Sequence, residues 1–203
     1  MATTQISAGE THQLVRRLQA VTIAWMVIEV SLSLWSAWKA SSPALAAFAG
    51  DSAVELLSAA VVMRRFRNGA SQQEERFAAR VAGSLLIVLA LFVVATSVIS
   101  LLGYHEPQPS YLGMAVLLAA LVIMPWLASQ KRKLSAITQS AALRADAAQS
   151  SLCAYLSLIA LVGLAVHSVW NVEWADPVAA LALTPLILFE AREAFRGNPC
   201  NCS

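Results

Sequence analysis

Six apolar stretches recur along the chain, each about as long as a helix that crosses a membrane. A hydrocarbon core of about 30 Å takes roughly 20 residues of α-helix. The chain of 203 residues is 58% hydrophobic and 13% charged, which is too apolar for an ordinary soluble domain. None of the stretches alternates with a period of two, so membrane-spanning strands are excluded. We therefore predict an all-α integral membrane protein with six transmembrane helices, at Leu18–Trp38, Ala44–Met63, Val81–Leu102, Tyr111–Ala128, Ala147–Trp170 and Ala175–Ala191.

The basic residues fall almost entirely on one side of these predicted helices. Of the 14 Lys and Arg residues, Lys39 alone lies on the other side. By the positive-inside rule, both termini lie in the cytoplasm and the protein crosses the plasma (inner) membrane several times. The first stretch starts too late and is too long for a cleaved signal peptide, so we expect a permanent helix. The predicted divisions are a cytoplasmic N-terminal segment (1–17), a transmembrane domain (18–196) and a short cytoplasmic tail that contains cysteines (197–203).

Two acidic residues, Asp51 and Glu55, lie one helical turn apart in the middle of the second predicted helix. A charge at the bilayer centre costs about 2.5 to 3.5 kcal/mol on insertion scales, so such acids usually face the bundle interior and serve ions or protons. Positions i and i+4 share a helix face and are about 6 Å apart along its axis, so both carboxylates can face one ion. They form half of a divalent-cation site or a pair that shares a proton. The alternative is a structural polar pair bonded to neighbouring helices.

An internal repeat relates the second and fifth predicted helices. With an offset of 98 residues, five of ten positions match between 44–53 and 142–151, although most of the matches are alanines. The offset places Gln149 over Asp51 and Cys153 over Glu55. Transporters often contain such repeats, with the binding site near the bilayer midplane. We predict a three-helix repeat and a metal site of two carboxylates, an amide and a thiol, which suits borderline or soft divalent ions. For Gln149 and Cys153 the alternative is simple helix packing.

Other polar residues are weaker candidates. Glu29, in the first predicted helix, lines the ion pathway or binds the coupling proton, or else makes a structural hydrogen bond. Asp146 is a ligand on the path of the ion, or an ordinary acid near a helix end. Cys200 and Cys202 capture a soft ion, or belong to a tail without a function.

Several other functions lack support in the sequence. No glycine-rich phosphate loop, HExxH or GxSxG motif occurs, so we expect neither an enzyme nor a bound cofactor. Nucleic acid is excluded by the membrane topology. His167, Glu173 and Asp176 lie near the outer end of the last predicted hairpin, where we expect them to be solvated.

Taken together, these motifs resemble the membrane domain of the cation diffusion facilitators. The segment from Asp51 to Glu55 is similar to the second-helix motif of that family. The segment from Asp146 to Cys153 is similar to its fifth-helix motif Asp-x-x-His-x-x-x-Asp, with Gln149 in place of His and Cys153 in place of the second Asp. The resemblance implies six helices with both ends inside, ligand pairs on the second and fifth helices, and transport of divalent metal cations. The turn that opens the sixth helix, Trp174–Pro177, is also similar to the Asp-Pro turn of the family.

Two differences from the family refine this expectation. The replaced ligands on the fifth helix argue against an ordinary tetrahedral zinc site and are compatible with a different or a softer ion. The chain resembles short bacterial members that lack the cytoplasmic C-terminal domain, so we expect a homodimer held by membrane helices. The resulting hypothesis is proton-coupled export of Zn²⁺ or another transition or heavy metal by alternating access. The alternatives are a metal importer, and a membrane scaffold or metal sensor that does not transport.

Overall fold

The computed structural model describes residues 8–68, 72–104 and 107–196, and this part of the chain contains six α-helices and no strand. The predicted all-α bundle is therefore confirmed. Five of the described helices are long and apolar enough to cross a membrane, and α6, of 22 residues, is not among these five. Cys200 and Cys202 lie outside the described residues. The helices are α1 (Ala8–Ala40), α2 (Pro43–Asn68), α3 (Gln72–Leu101), α4 (Tyr111–Thr138), α5 (Ala141–Trp170) and α6 (Ala175–Arg196).

Helices α2 and α5 occupy the centre of the bundle. Helices α1, α2, α5 and α4 form a ring in which each helix contacts the next. Outside this ring, α3 and α6 pack against each other; α3 also contacts α2, and α6 also contacts α2 and α5. As a result, α2 contacts α1, α3, α5 and α6. Its small residues Ala44, Ala47, Ala49 and Ser52 are fully buried, which allows neighbouring helices to approach closely. Polar side chains on α2 are therefore held away from water by helices on several sides.

Exposed aromatic side chains mark one end of the bundle, which we call the aromatic end. Consecutive helices run antiparallel, so this end contains the end of α1, α3 and α5 and the start of α2, α4 and α6. Tyr and Trp are enriched where membrane proteins meet the headgroup region, and this arrangement is typical of such a belt. We call the opposite end, where the Arg-rich connections lie, the basic end. The aromatic residues, all more than half exposed, are Trp38, Tyr104, Tyr111, Trp170 and Trp174.

Two of the three residues that we expected to be solvated at the aromatic end are buried. Asp176 is 1% exposed because it caps another helix: it accepts a hydrogen bond of 2.6 Å from the Ser42 hydroxyl and one of 3.4 Å from the Ala44 backbone N–H. His167 is also buried, at 5% exposure, whereas Glu173 is exposed. The expectation was wrong for both residues: Asp176 is buried because the starts of α2 and α6 pack together, and His167, near the end of α5, has its Nδ1 3.1 Å from the backbone oxygen of Val172. This contact fixes the position of α6 relative to α2.

Helices α4 and α5 are longer at the basic end than hydropathy predicted. The prediction ended α4 at Ala128 and began α5 at Ala147, but the two helices are separated only by Gln139 and Ser140. Ser140 caps α5 by accepting a hydrogen bond from a backbone N–H in its first turn. Consequently Lys131, which we placed in a connecting loop, lies in α4 and is fully buried. That assignment was wrong because charged residues continue the helix while its apolar pattern has already stopped.

Candidate cation site

Apart from Asp176 at the aromatic end, the described part of the bundle contains five buried acidic residues and one buried lysine. Each of the six is fully buried except Glu190, which is 6% exposed. An isolated charge away from water is costly, so each of these groups needs a hydrogen-bond donor, an opposite charge or a proton. We call the acids the interior acids. They are Glu29 on α1, Asp51 and Glu55 on α2, Asp146 on α5 and Glu190 on α6, and the lysine is Lys131 on α4.

Lys131 compensates two of the interior acids. Its Nζ lies 2.9 Å from Asp146 Oδ2 and 3.6 Å from Glu55 Oε1, and donates a hydrogen bond of 2.7 Å to Ser150 Oγ. The Ser150 hydroxyl in turn donates a short hydrogen bond to Glu55. The amide of Gln19, on α1, donates to Asp146 Oδ2 at 2.7 Å. This buried network therefore joins all four helices of the ring.

Glu29 is compensated by hydrogen-bond donors instead of a cation. The Trp25 indole N–H donates to Glu29 Oε2 at 2.6 Å, and the Ser52 hydroxyl donates to Oε1 at 2.6 Å. The Cys153 thiol donates to the same Oε1 at 3.8 Å. These bonds connect α1 to α2 and α5, which is the structural hydrogen bonding that we gave as the alternative for Glu29.

Asp51 and Glu190 have neither kind of compensation. No oxygen of either carboxyl group has a hydrogen-bond donor, although both side chains are buried. The two carboxyl groups lie close enough to hydrogen-bond to each other when one of them carries a proton. We call them the Asp51–Glu190 pair. Two buried carboxyl groups without a donor from the rest of the protein therefore lie between α2 and α6.

The residues predicted as ligands have different surroundings in this conformation. Asp51 and Glu55 are both buried on α2, but Asp51 is next to Glu190 whereas Glu55 is bonded to α4 and α5. Cys153 is fully buried and Gln149 is half-buried. Within the described parts of the chain, no three His, Cys, Asp or Glu side chains are arranged to hold one metal ion. The assignment of Asp51, Glu55, Gln149 and Cys153 as ligands therefore stays a prediction.

Sequence analysis missed two of the charged groups in the interior. Glu190 had a recognisable signal, because it follows Leu183 and Ile187 at helical spacing and those two residues are fully buried. Lys131 had none, since it stands between Gln130 and Arg132 in a polar segment that is typical of a cytoplasmic flank.

Comparison with known proteins agrees with this architecture. A family model described as the cation efflux transmembrane domain matches residues 18–198. No curated protein sequence matches the chain. The matched region includes all six interior charged residues of the candidate site. Its extent confirms the resemblance that the second-helix and fifth-helix motifs indicated, and this is a family of transporters and not of enzymes. The chain therefore belongs to the cation efflux, or cation diffusion facilitator, family of membrane transporters.

Proposed function

We propose that this protein exports a divalent transition or heavy metal, with Zn²⁺ as the first candidate, in exchange for protons. Family membership supports cation transport in general, and the ion, the direction and the coupling to protons are parts of the proposal. The observation that carries it is the Asp51 carboxyl group, which is fully buried in α2 and has no donor for either oxygen. Such a group is costly to keep unless a cation or proton regularly occupies it.

In this proposal the ligands bind the ion one after the other, and Glu55 must first leave its partners within the protein. Asp51 binds the ion first because its oxygens are free, and Glu55 joins when it leaves Lys131 and Ser150. Since these partners lie on α4 and α5, a relative shift of α2 against those helices both frees Glu55 and changes access to the site. Protonation of the carboxylates from the outside then releases the ion. In the full proposal the ligands are Asp51, Glu55, Gln149 and Cys153, with Glu29 and Asp146 on the pathway of ion or proton and Cys200 and Cys202 as capture residues.

The proposed orientation places the basic end in the cytoplasm. Exposed Arg residues near this end, such as Arg16, Arg17 and Arg80, support it through the positive-inside rule. The proposed assembly is a homodimer within the bilayer. Of the five described helices that are long and apolar enough to span a membrane, α3 is the least buried, with Val88 and Leu91 both more than 60% exposed, and its apolar face is available to lipid or to a second copy.

Transport by reconstituted protein tests the proposal. Purified protein in vesicles, with a Zn²⁺ indicator inside and a pH gradient across the membrane, should accumulate Zn²⁺ and move protons in the opposite direction. Asp51→Asn should abolish both fluxes because it removes the free carboxylate. The control is Glu193→Gln, an acid that is half exposed near the end of α6. Zn²⁺ flux in the Asp51 variant equal to that of the control would refute the role of Asp51.

One observation favours a second candidate, a scaffold or metal sensor that does not transport. Glu55 is held by Lys131 and Ser150, and no metal-binding group of three residues is formed among the described residues. Metal binding without any coupled proton flux would support a sensor, and no binding would support a scaffold. An importer would show Zn²⁺ flux in the opposite direction in vesicles of known orientation.

A further inference from the structure

We propose that Glu190 is a direct ligand of the transported ion, and that the Asp51–Glu190 pair forms a carboxylate site for a divalent cation between α2 and α6. The inference rests on the proposed function, since it assumes that the protein binds such an ion. It adds a ligand from the sixth helix, which sequence analysis did not consider. Carboxylate oxygens are suitable ligands for both hard and borderline divalent cations.

The hydrogen-bond donors and the one buried cation are unevenly distributed among the interior acids, and this points to the Asp51–Glu190 pair as the site. Glu29 receives three donors, and Glu55 and Asp146 share the ammonium group of Lys131. Gln19 and Ser150 also donate to Asp146 and Glu55, respectively. The four oxygens of the Asp51–Glu190 pair receive no such hydrogen bond. A cation entering the interior therefore finds its most favourable position at this pair, because no donor or cation of the protein has to be displaced there and only a proton shared by the two carboxyl groups has to leave.

The fold holds the two carboxyl groups together independently of any ion. At the aromatic end, Asp176 of α6 accepts hydrogen bonds from Ser42 and Ala44 at the start of α2. Farther along α6, Leu183 and Ile187 are fully buried on the same face as Glu190. Both helices are thus fixed by packing and by a buried cap. The proximity of the two carboxyl groups is then a property of the fold that an ion can use.

Binding measurements on full-length protein in detergent test the inference. We would titrate Zn²⁺, Mn²⁺ and Cd²⁺ into wild type, Glu190→Gln and the control Glu193→Gln by calorimetry. Removing even a residue that supports a ligand costs about 10–100-fold in metal affinity, so Glu190→Gln should weaken the tightest-bound ion at least about tenfold. Glu193→Gln should bind like wild type. Absence of binding by wild type would refute the proposed function, whereas equal binding by wild type and Glu190→Gln would refute this inference alone and leave a pair that only shares a proton.

Thermal unfolding separates a ligand from a structural residue. The amide of Glu190→Gln can donate a hydrogen bond to Asp51, so without metal this variant should have a Tm at least equal to that of wild type. The rise in Tm that metal causes in wild type should be reduced in the variant, because at a given metal concentration a more weakly bound ion stabilises the folded state less. A lower Tm without metal together with an unchanged metal-induced rise would mean a purely structural role.

Glu190→Asp retains a carboxylate and should bind metal more tightly than Glu190→Gln. Equal metal affinity of these two variants would also contradict the inference.

Discussion

Replacing Lys131 with Met tests the buried charge network most severely. The substitution removes the ammonium group but retains an unbranched apolar side chain. In the structure Nζ lies 2.9 Å from Asp146 and 3.6 Å from Glu55, and all three side chains are fully buried. Removing one partner of a buried ion pair costs about 3–5 kcal/mol. Gln19 and Ser150 would still donate hydrogen bonds to Asp146 and Glu55, respectively. We therefore expect a loss at the lower end of this range, about 3 kcal/mol in the free energy of unfolding.

The assay for this substitution is unfolding by SDS in mixed micelles, with the free energy of unfolding compared between variants. Lys133→Met is the matched control, because Lys133 lies on the same helix and is exposed, and it should change stability by less than about 0.5 kcal/mol. Adding Asp146→Asn to Lys131→Met should restore part of the loss, since the neutral amide no longer needs an ammonium partner. Equal stability of the Lys131 and Lys133 variants would refute the existence of the buried network.

Two further predictions concern the ion and the packing of the helices. Cys153→Ser should weaken binding of Cd²⁺ more than binding of Zn²⁺ in the same calorimetric titration, because the softer ion gains more from sulfur; equal weakening would remove the argument for a soft-ion preference. Gly163→Ala should lower the free energy of unfolding by about 1–3 kcal/mol, since a Cβ there would collide with the Cβ of Ala179 on α6. Gly50→Ala is the comparison, because the three atoms nearest to its Cβ would all belong to the Leu89 side chain, which can change its rotamer; a loss in Gly50→Ala as large as in Gly163→Ala would contradict this view of the packing.

The helices and the burial of the α2 acids could be predicted because local features determine them. A run of about 20 apolar residues has few alternatives to a membrane helix. Acids in the middle of such a run, such as Asp51 and Glu55, have to face the protein interior, and both are fully buried. The prediction failed where burial depends on a contact between distant segments. Asp176 is buried only because the start of α2 places Ser42 beside it.

The partners of the interior acids could not be predicted for the same reason. Lys131 is 76 residues from Glu55 in sequence, and its polar neighbours indicate a cytoplasmic flank until α4 is seen to continue to Thr138. Glu190 lies near the end of a helix whose charged residues reduce its apolar character. In both cases the sequence showed a charged residue at the edge of an apolar stretch. The direction in which the side chain points depends on helix packing, which spacing along one helix does not reveal.

The measurement that tests the central claim most directly is the location of the bound ion by anomalous X-ray scattering from crystals grown with Cd²⁺ or Zn²⁺. We expect an anomalous peak inside the bundle, in contact with the Asp51 carboxylate between α2 and its neighbouring helices. Peaks confined to surface acids such as Glu193, with Asp51 unoccupied at saturating metal in a correctly folded protein, would contradict it.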